Sequence, residues 1–294
     1  MRLDLGGAFA ALIDWIQNNF QPFLDGVTSV IGATITGLEE ALLFLPSWAM
    51  ILLFTLLAWW VASRGVAIFT VIGLTLLEDV EFALLGVEVA FGMGLWEFTM
   101  QTLALVATAT LLSLLIGIPV GIWAAKNDVV DAIVRPVLDF MQTMPAFVYL
   151  IPAVVLFGLG QVPGVIATFI FATPPCVRLT NLGIRQVSEE AVEAAQSFGS
   201  TPSQMLFKVE LPMALPTILA GVNQTVLLAL SMVVIAALIG AGGLGDPVVE
   251  GIQQLRIGVG FEGGLAIVIL AIFLDRITQA VGEKVGASTQ AATG

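Results

Sequence analysis

The stretch whose residue types and spacing could do chemistry is Ser188-Glu-Glu-Ala-Val-Glu-Ala-Ala-Gln-Ser-Phe-Gly199, and its chemistry is recognition rather than bond making. Ser188 suits a helix N-cap, Glu189 and Glu190 favour the positive amino terminus, alanine supplies propensity, and Gly199 suits the left-handed position just past the end. The spacing predicts a helix of about two and a half turns. Ala191, Ala194 and Ala195 let another surface approach the backbone closely, and Glu193 offers one charge for an ion pair or hydrogen bond. Such a helix is shaped to fill a groove. On helix pattern alone, a solvated connecting helix with no partner is the competing reading.

The rest of the reactive inventory is thin. There is no histidine and Cys176 is the single cysteine, so one chain can build neither a zinc site nor a disulfide. Cys176 follows Pro174 and Pro175 in an apolar stretch and reads as a small packing residue. No Gly-x-x-x-x-Gly-Lys-Ser/Thr occurs, so the chain has no P-loop to cradle ATP phosphates. The expectation is a chain with no catalytic residue, no metal and no cofactor of its own.

Polar groups embedded in apolar runs are costly and so informative: Gln142, Tyr149, Asn223, Gln224, Thr225 and Ser231 are candidates for lining a path across the membrane. Interhelical hydrogen bonds are the alternative for each. Met141, Met144 and Met232 read as packing residues. Asp139 with Arg135, and Arg178 with the start of the polar interval, are candidate ion pairs, with snorkelling of the arginines as the alternative.

These residues need elements to hold them, and composition says what kind. Of 294 residues 58% are hydrophobic and only 11% charged, with mean hydropathy +1.02, far from the soluble norm. The formal charge of −12, from 22 acidic and 10 basic residues, leaves no basic patch for nucleic acid. Residues 1–45 mix apolar groups with Asp14, Gln17, Asp25, Glu39 and Glu40 at amphipathic spacings, with Pro22 separating two helices and no piece long enough to span. Residues 46–96 hold a first span, Pro46–Ala62, flanked by Trp48, Trp59 and Trp60, then a short second, Gly65–Leu77, and an acidic external loop.

The third span is Thr99–Ala124, where Gly117, Pro119 and Gly121 are expected to kink or loosen the last turns. The fourth runs from about Val137 to Leu159, broken by Pro145 and Pro152, and the fifth from about Gly164 to Arg185. A polar interval, Gln186–Glu210, must lie outside the hydrocarbon. Ala214–Ile239 is the sixth span, 240–245 a glycine-rich loop, Phe261–Ala280 the seventh, and 282–294 a disordered tail. If about seven spans alternate, Arg64, Lys126, Arg135, Arg185, Lys208 and Lys284 all fall on one side, which the positive-inside rule makes the cytoplasm, with Arg256 the one basic exception in the opposite loops.

A longer pattern then emerges: Glu193-Ala194-Ala195, three residues, Gly199, nine residues to Val209, and Leu211-Pro212. It resembles the cytoplasmic loop signature of ABC importer permeases, whose short coupling helix docks in a cleft of the ATPase subunit. Over roughly residues 97–281 the chain is similar to the glycine betaine and proline betaine branch of that family. The stretches that carry this are Met141-Gln-Thr-Met-Pro-Ala-Phe-Val-Tyr-Leu-Ile-Pro152, Phe157-Gly-Leu-Gly160, Arg178-Leu-Thr180, Gly221-Val-Asn-Gln-Thr225, Ala229-Leu-Ser-Met-Val-Val-Ile235 and Gly242-Gly-Leu-Gly245. The acidic interval from Glu78 to Glu97 is longer than the family's connection there.

The resemblance implies an all-α integral membrane protein, a polytopic helical bundle with the type I ABC importer transmembrane fold over 97–281 and a coupling loop at 186–212. It implies a multi-pass protein of the cell membrane, working with an ABC ATPase that binds ATP and magnesium, an extracytoplasmic solute-binding protein and a second permease copy. The cargo implied is a compatible solute such as glycine betaine. A quaternary ammonium is held best by an aromatic cage; with Tyr149 the single tyrosine and tryptophans near span ends, the selective site is expected on the binding protein. An ion-coupled secondary transporter is the competing class; it would show intramembrane acidic residues and inverted repeats.

Overall fold

The computed structural model describes residues 4–84 and 87–293. Helix α1 (Leu5–Asn19), capped by Asp4 accepting from the Gly7 amide at 2.9 Å, leads into α2 (Gln21–Leu43), with Pro22 in the first turn of α2. The break at Pro22 is as read from the sequence, but α2 is one unbroken helix of 23 residues, longer than the short amphipathic pieces expected there. Its glycines and threonines do not interrupt it, and the Thr28 and Thr34 hydroxyls find their acceptors within the helix, donating back to the Leu24 and Val30 carbonyls at 2.9 and 2.8 Å. Helix α3 (Ser47–Val61) turns off α2 by 97°, and α4 (Arg64–Leu77), with Ser63 as N-cap, is 14 residues long. At 1.5 Å per residue α4 covers about 21 Å, short of the ~30 Å hydrocarbon.

The acidic interval is not a plain loop: β1 (Asp79–Leu84) and β2 (Val87–Gly92) form an antiparallel hairpin, with Asp79 opposite Gly92 and Leu84 opposite Val87. Helix α5 (Trp96–Lys126) follows and runs straight through Pro119. Gly117 and Gly121, expected to loosen its end, instead set the closest approach to α8 (Gln161–Arg185). A Cβ on Gly121 would stand 2.6 Å from Thr180 Cβ and 2.8 Å from the Val177 carbonyl. Small residues at such contacts let membrane helices pack by van der Waals contact where no hydrophobic force drives them together. The hydroxyls of Thr99, Thr102, Thr108 and Ser113 in α5 donate to carbonyls one turn back at 2.7–2.9 Å, so these four need no water, while the buried Thr110 hydroxyl has no partner among the described residues.

The segment read as a fourth span is two helices, α6 (Asp128–Thr143) and α7 (Ala146–Phe157), bent by 98° at Met144–Pro145. Pro145 breaks the run because the residue before a proline is driven out of the helical region; Pro152 lies inside α7 and does not. Past α8 come α9 (Glu189–Ser197), α10 (Pro202–Met205), a π-helical turn (Leu206–Glu210) and α11 (Leu211–Ala237). The glycine-rich loop leads to a helix not foreseen, α12 (Gly245–Gln253), and then to α13 (Ile257–Thr293). The tail expected to be disordered from residue 282 is helical through Thr293; its alanines extend an existing helix, which needs no new nucleus.

Four helices, α5, α8, the α10–α11 run and α13, are individually long and apolar enough to cross a membrane among the described residues, and the bent pairs α2–α3 and α6–α7 raise this to six. The main core joins α3, α4, α5, α11 and α13 through Met50, Leu74, Met100, Leu230 and Leu270. A second cluster seats Ile31 and Ile35 of α2 on Ala104, Leu105 and Ala109 of α5. Outward, Trp48, Leu52, Leu53, Trp60, Ile68 and Ile72 are exposed, the apolar band expected where lipid is the solvent.

Candidate functional site

Ser188 precedes α9 with extended backbone (φ −60°, ψ 138°) but makes no side-chain capping bond, so the amino end rests on Glu189 and Glu190 against the helix dipole. At the other end Gly199 takes φ +78°, its amide donates to the Gln196 carbonyl at 2.8 Å, and the Ser200 amide donates to the Ala195 carbonyl at 3.1 Å. That pair of bonds is the Schellman closure, which glycine alone enters without strain. Helix α9 buries none of its residues. Glu193 and Ala194 are exposed, Ala195 is half-buried, and Phe198 stands 92% exposed. Ala191, Val192 and Ala195 form a half-buried side of α9, while Glu193, Ala194 and the C-cap Phe198 stand uncovered.

The loop returns to the bundle through Thr201 and Gln204, whose side chains form a reciprocal capping box. Val209 lies half-buried in the π turn, and Leu211 packs on Ile184, Ala214 and Ile218, with Pro212 in the first turn of α11. The apolar end of the motif is thus the anchor and its alanine end the projection. Beneath α9 a cleft of 780 Å³ is lined by Val192, Gln196, Met205 and Phe207, together with Lys126 of α5 and Glu210.

Lys126, Arg135 and Arg185 gather around Asp128, Asp131 and Glu210, while Arg256, between α12 and α13, pairs with Glu250. Lys284 reaches from α13 to the Trp60 carbonyl and lies 5.5 Å from its ring centroid. Lys126 pairs with Glu210, and Arg185 pairs with Asp128 at 2.7 Å. The candidate pairings themselves change partners: Arg135 holds Asp131 at 2.7 Å, not Asp139, while Arg178 holds Asp139 and Gln142 rather than the start of the loop. Arg135 lies one turn from both Asp131 and Asp139 along α6, and Asp139 is taken by Arg178 of α8.

The six path candidates do not converge on one pocket. Gln142 is exposed and accepts from Arg178; Gln224 and Ser231 are exposed on α11, the latter donating to the Leu227 carbonyl at 2.9 Å. Tyr149 is buried beside Ala153, Ala167 and Met232 and donates to the Met141 carbonyl. Thr225 is fully buried and bonds back to Gly221 at 2.9 Å. Asn223 donates to Asp275 of α13 at 2.9 Å, where Gln279 also donates at 2.7 Å, and Asn223 accepts from Thr278. Asp275 is a residue sequence reasoning passed over although it lies inside Phe261–Ala280; a carboxylate ending the uncharged run from Gly263 to Leu274 was the available signal. At the opposite end, Gln101 and Thr102 accept from the amides of Gly243 and Leu244 at 3.2 and 2.8 Å, pinning the glycine-rich loop to α5.

Residues 117–286 match the family described as binding-protein-dependent transport system inner membrane component. The chain belongs to this family. The permease is 49% identical over 283 residues, 96% of each chain, to the glycine betaine transport system permease protein OpuAB of Bacillus subtilis. It is 50% identical over 272 residues, 92% of this chain and 73% of the other, to the glycine betaine/proline betaine permease protein ProW of Escherichia coli. The MetNI methionine ABC transporter in an inward-facing conformation superposes with TM-score 0.55 at 22% identity, over 64% of this permease and 92% of that chain, which establishes a shared fold. The permease is therefore a multi-pass membrane protein of an ABC importer, with the helical architecture expected from sequence.

Proposed function

We propose that this permease carries glycine betaine or a related quaternary amine inward, in a complex of two permease copies, two ATPase chains and an extracytoplasmic binding protein. The observation that carries the reading is α9: a capped helix with no buried residue, bearing the Glu193-Ala194-Ala195 and Gly199 spacing. Glu193, Ala194, Ala195 and Gly199 present the docking surface to the ATPase, and Val209, Leu211 and Pro212 fix that surface to α11. The near-half identity to permeases named for glycine betaine supports the choice of solute. ATP and magnesium belong to the partner.

For the path, Gln142, Gln224 and Ser231 are exposed polar groups on helices that otherwise face lipid or protein, which favours a water-filled interface with a second copy over lipid. Tyr149, Asn223 and Thr225 shape the walls behind it. Selectivity rests with the binding protein, because no aromatic cage forms around Tyr149, whose hydroxyl is committed to a carbonyl. The test is uptake of labelled glycine betaine into vesicles containing permease, ATPase and binding protein. Uptake that needs internal or external ATP on the ATPase side supports the reading; uptake driven by an ion gradient without ATP rejects it.

A further inference from the structure

Helix α9 has no core of its own, so any push it receives must leave through its neighbours. Those neighbours include α10 and the π turn, and the π turn runs directly into α11. One route of force is therefore covalent, from the loop into α11. The second is electrostatic. Glu210 closes the π turn with 6% exposure, and its buried Oε2 is the oxygen that meets a cation. Its ion-pair partner is the ammonium of Lys126, the last residue of α5. Both line the cleft whose other walls include Val192 and Gln196 of α9.

We propose that the Lys126–Glu210 pair is the strap that makes α5 move with the coupling loop, so that both are positioning residues for ATP-driven transport. The inference rests on the coupling reading of α9 given above. The Glu210 side chain is 7% exposed and the Lys126 side chain 42%, so losing Lys126 leaves a buried carboxylate uncompensated, and that penalty holds the carboxylate to the ammonium over small displacements. A π turn is an inserted residue in the helical ladder, a weak point where α11 could yield on its own. With Glu210 anchored to α5 at that point, the displacement of α9 is shared between α5 and α11 instead of being absorbed by the turn. Because α5 also packs closely on α8 through Gly121, the strap passes the stroke to the helices at the centre of the bundle.

The experiment uses the assembled complex of permease, ATPase and binding protein in vesicles, with glycine betaine as the transported probe, and reads solute moved per ATP hydrolysed. Glu210→Gln and Lys126→Met are each expected to lower that ratio by about fivefold or more, the lower end for energetic coupling between sites. The reversed pair, Lys126→Glu with Glu210→Lys, is expected to recover most of it. Single variants with the wild-type ratio overturn the proposal. So does a reversed pair no better than the singles, and so does an unchanged ratio in complexes that merely assemble in smaller amount, which would make the pair a folding contact. If the unaltered complex moves no glycine betaine with ATP, the functional reading fails instead.

Discussion

Gly199 offers the sharpest perturbation of the coupling loop, because its effect separates cleanly into conformation and space. A Cβ at this position would meet nothing within 4 Å, so no clash accompanies a substitution. The backbone, however, sits at φ +78°, where an L side chain costs about 1–2 kcal/mol and a β-branched one is a true outlier. Gly199→Val would also loosen the amide bonds to the Gln196 and Ala195 carbonyls that close α9. An isolated helix of 9 residues with no buried side chain is marginal, and a loss of about 2 kcal/mol changes its ordered-to-disordered ratio by roughly 30-fold. Gly199→Asn, which tolerates the left-handed region, should lose far less. With membrane insertion measured alongside, ATP-driven uptake is expected to fall in the order Gly, Asn, Ala, Val. Wild-type uptake by the Val variant, or an Asn variant as impaired as Val, would refute the reasoning.

Other expectations follow from the bundle. Gly121→Val forces α5 away from Thr180 and the Val177 carbonyl, an overpacking of about 1–3 kcal/mol, visible as a lower unfolding temperature of the purified permease even where α9 is intact. Asp275→Leu strands the part-buried Asn223 amide at a cost of about 1 kcal/mol, whereas Asp275→Asn keeps an acceptor and stays near wild type; dependence of Asp275→Asn uptake on an ion gradient would point to the secondary-transporter class instead. Burial pushes the Asp246 carboxyl above its ordinary 3.8, so the folded state holds its proton to higher pH than the unfolded state does. Stability from this group therefore falls as pH rises through the interval between those two values, and Asp246→Asn should flatten the dependence of unfolding temperature on pH there.

What the sequence made legible was what strong hydropathy and local capping determine alone. Helices α5, α8, α11 and α13 follow from long uncharged runs, and α9 follows from its acidic start, alanine content and Gly199 stop. The less legible features depend on tertiary context. The 98° bend at Pro145 and the unbroken passage through Pro152 and Pro119 involve the same residue type, and only the surrounding packing decides which prolines break a helix. Helix α12 follows glycines at φ +82° and +75° that read as loop, because the amide bonds holding them come from Gln101 and Thr102, far away in the chain. The site divided in the same way. The short helix and its Gly199 stop were readable from local spacing, but the Lys126–Glu210 and Asn223–Asp275 contacts join segments that no local pattern connects.

The measurement that bears most directly on the account is a contact map of α9 in the assembled complex. Cys176 is buried and is the single native cysteine, so a thiol introduced by Ala194→Cys can be addressed alone. Short-range cross-linking from that position is predicted to capture the ATPase subunit, with a yield that changes when nucleotide is bound, while a thiol from Leu255→Cys at the opposite end captures none. Absence of any ATPase product from position 194 in a complex that still hydrolyses ATP and moves solute would contradict the claim that α9 is where the energy enters.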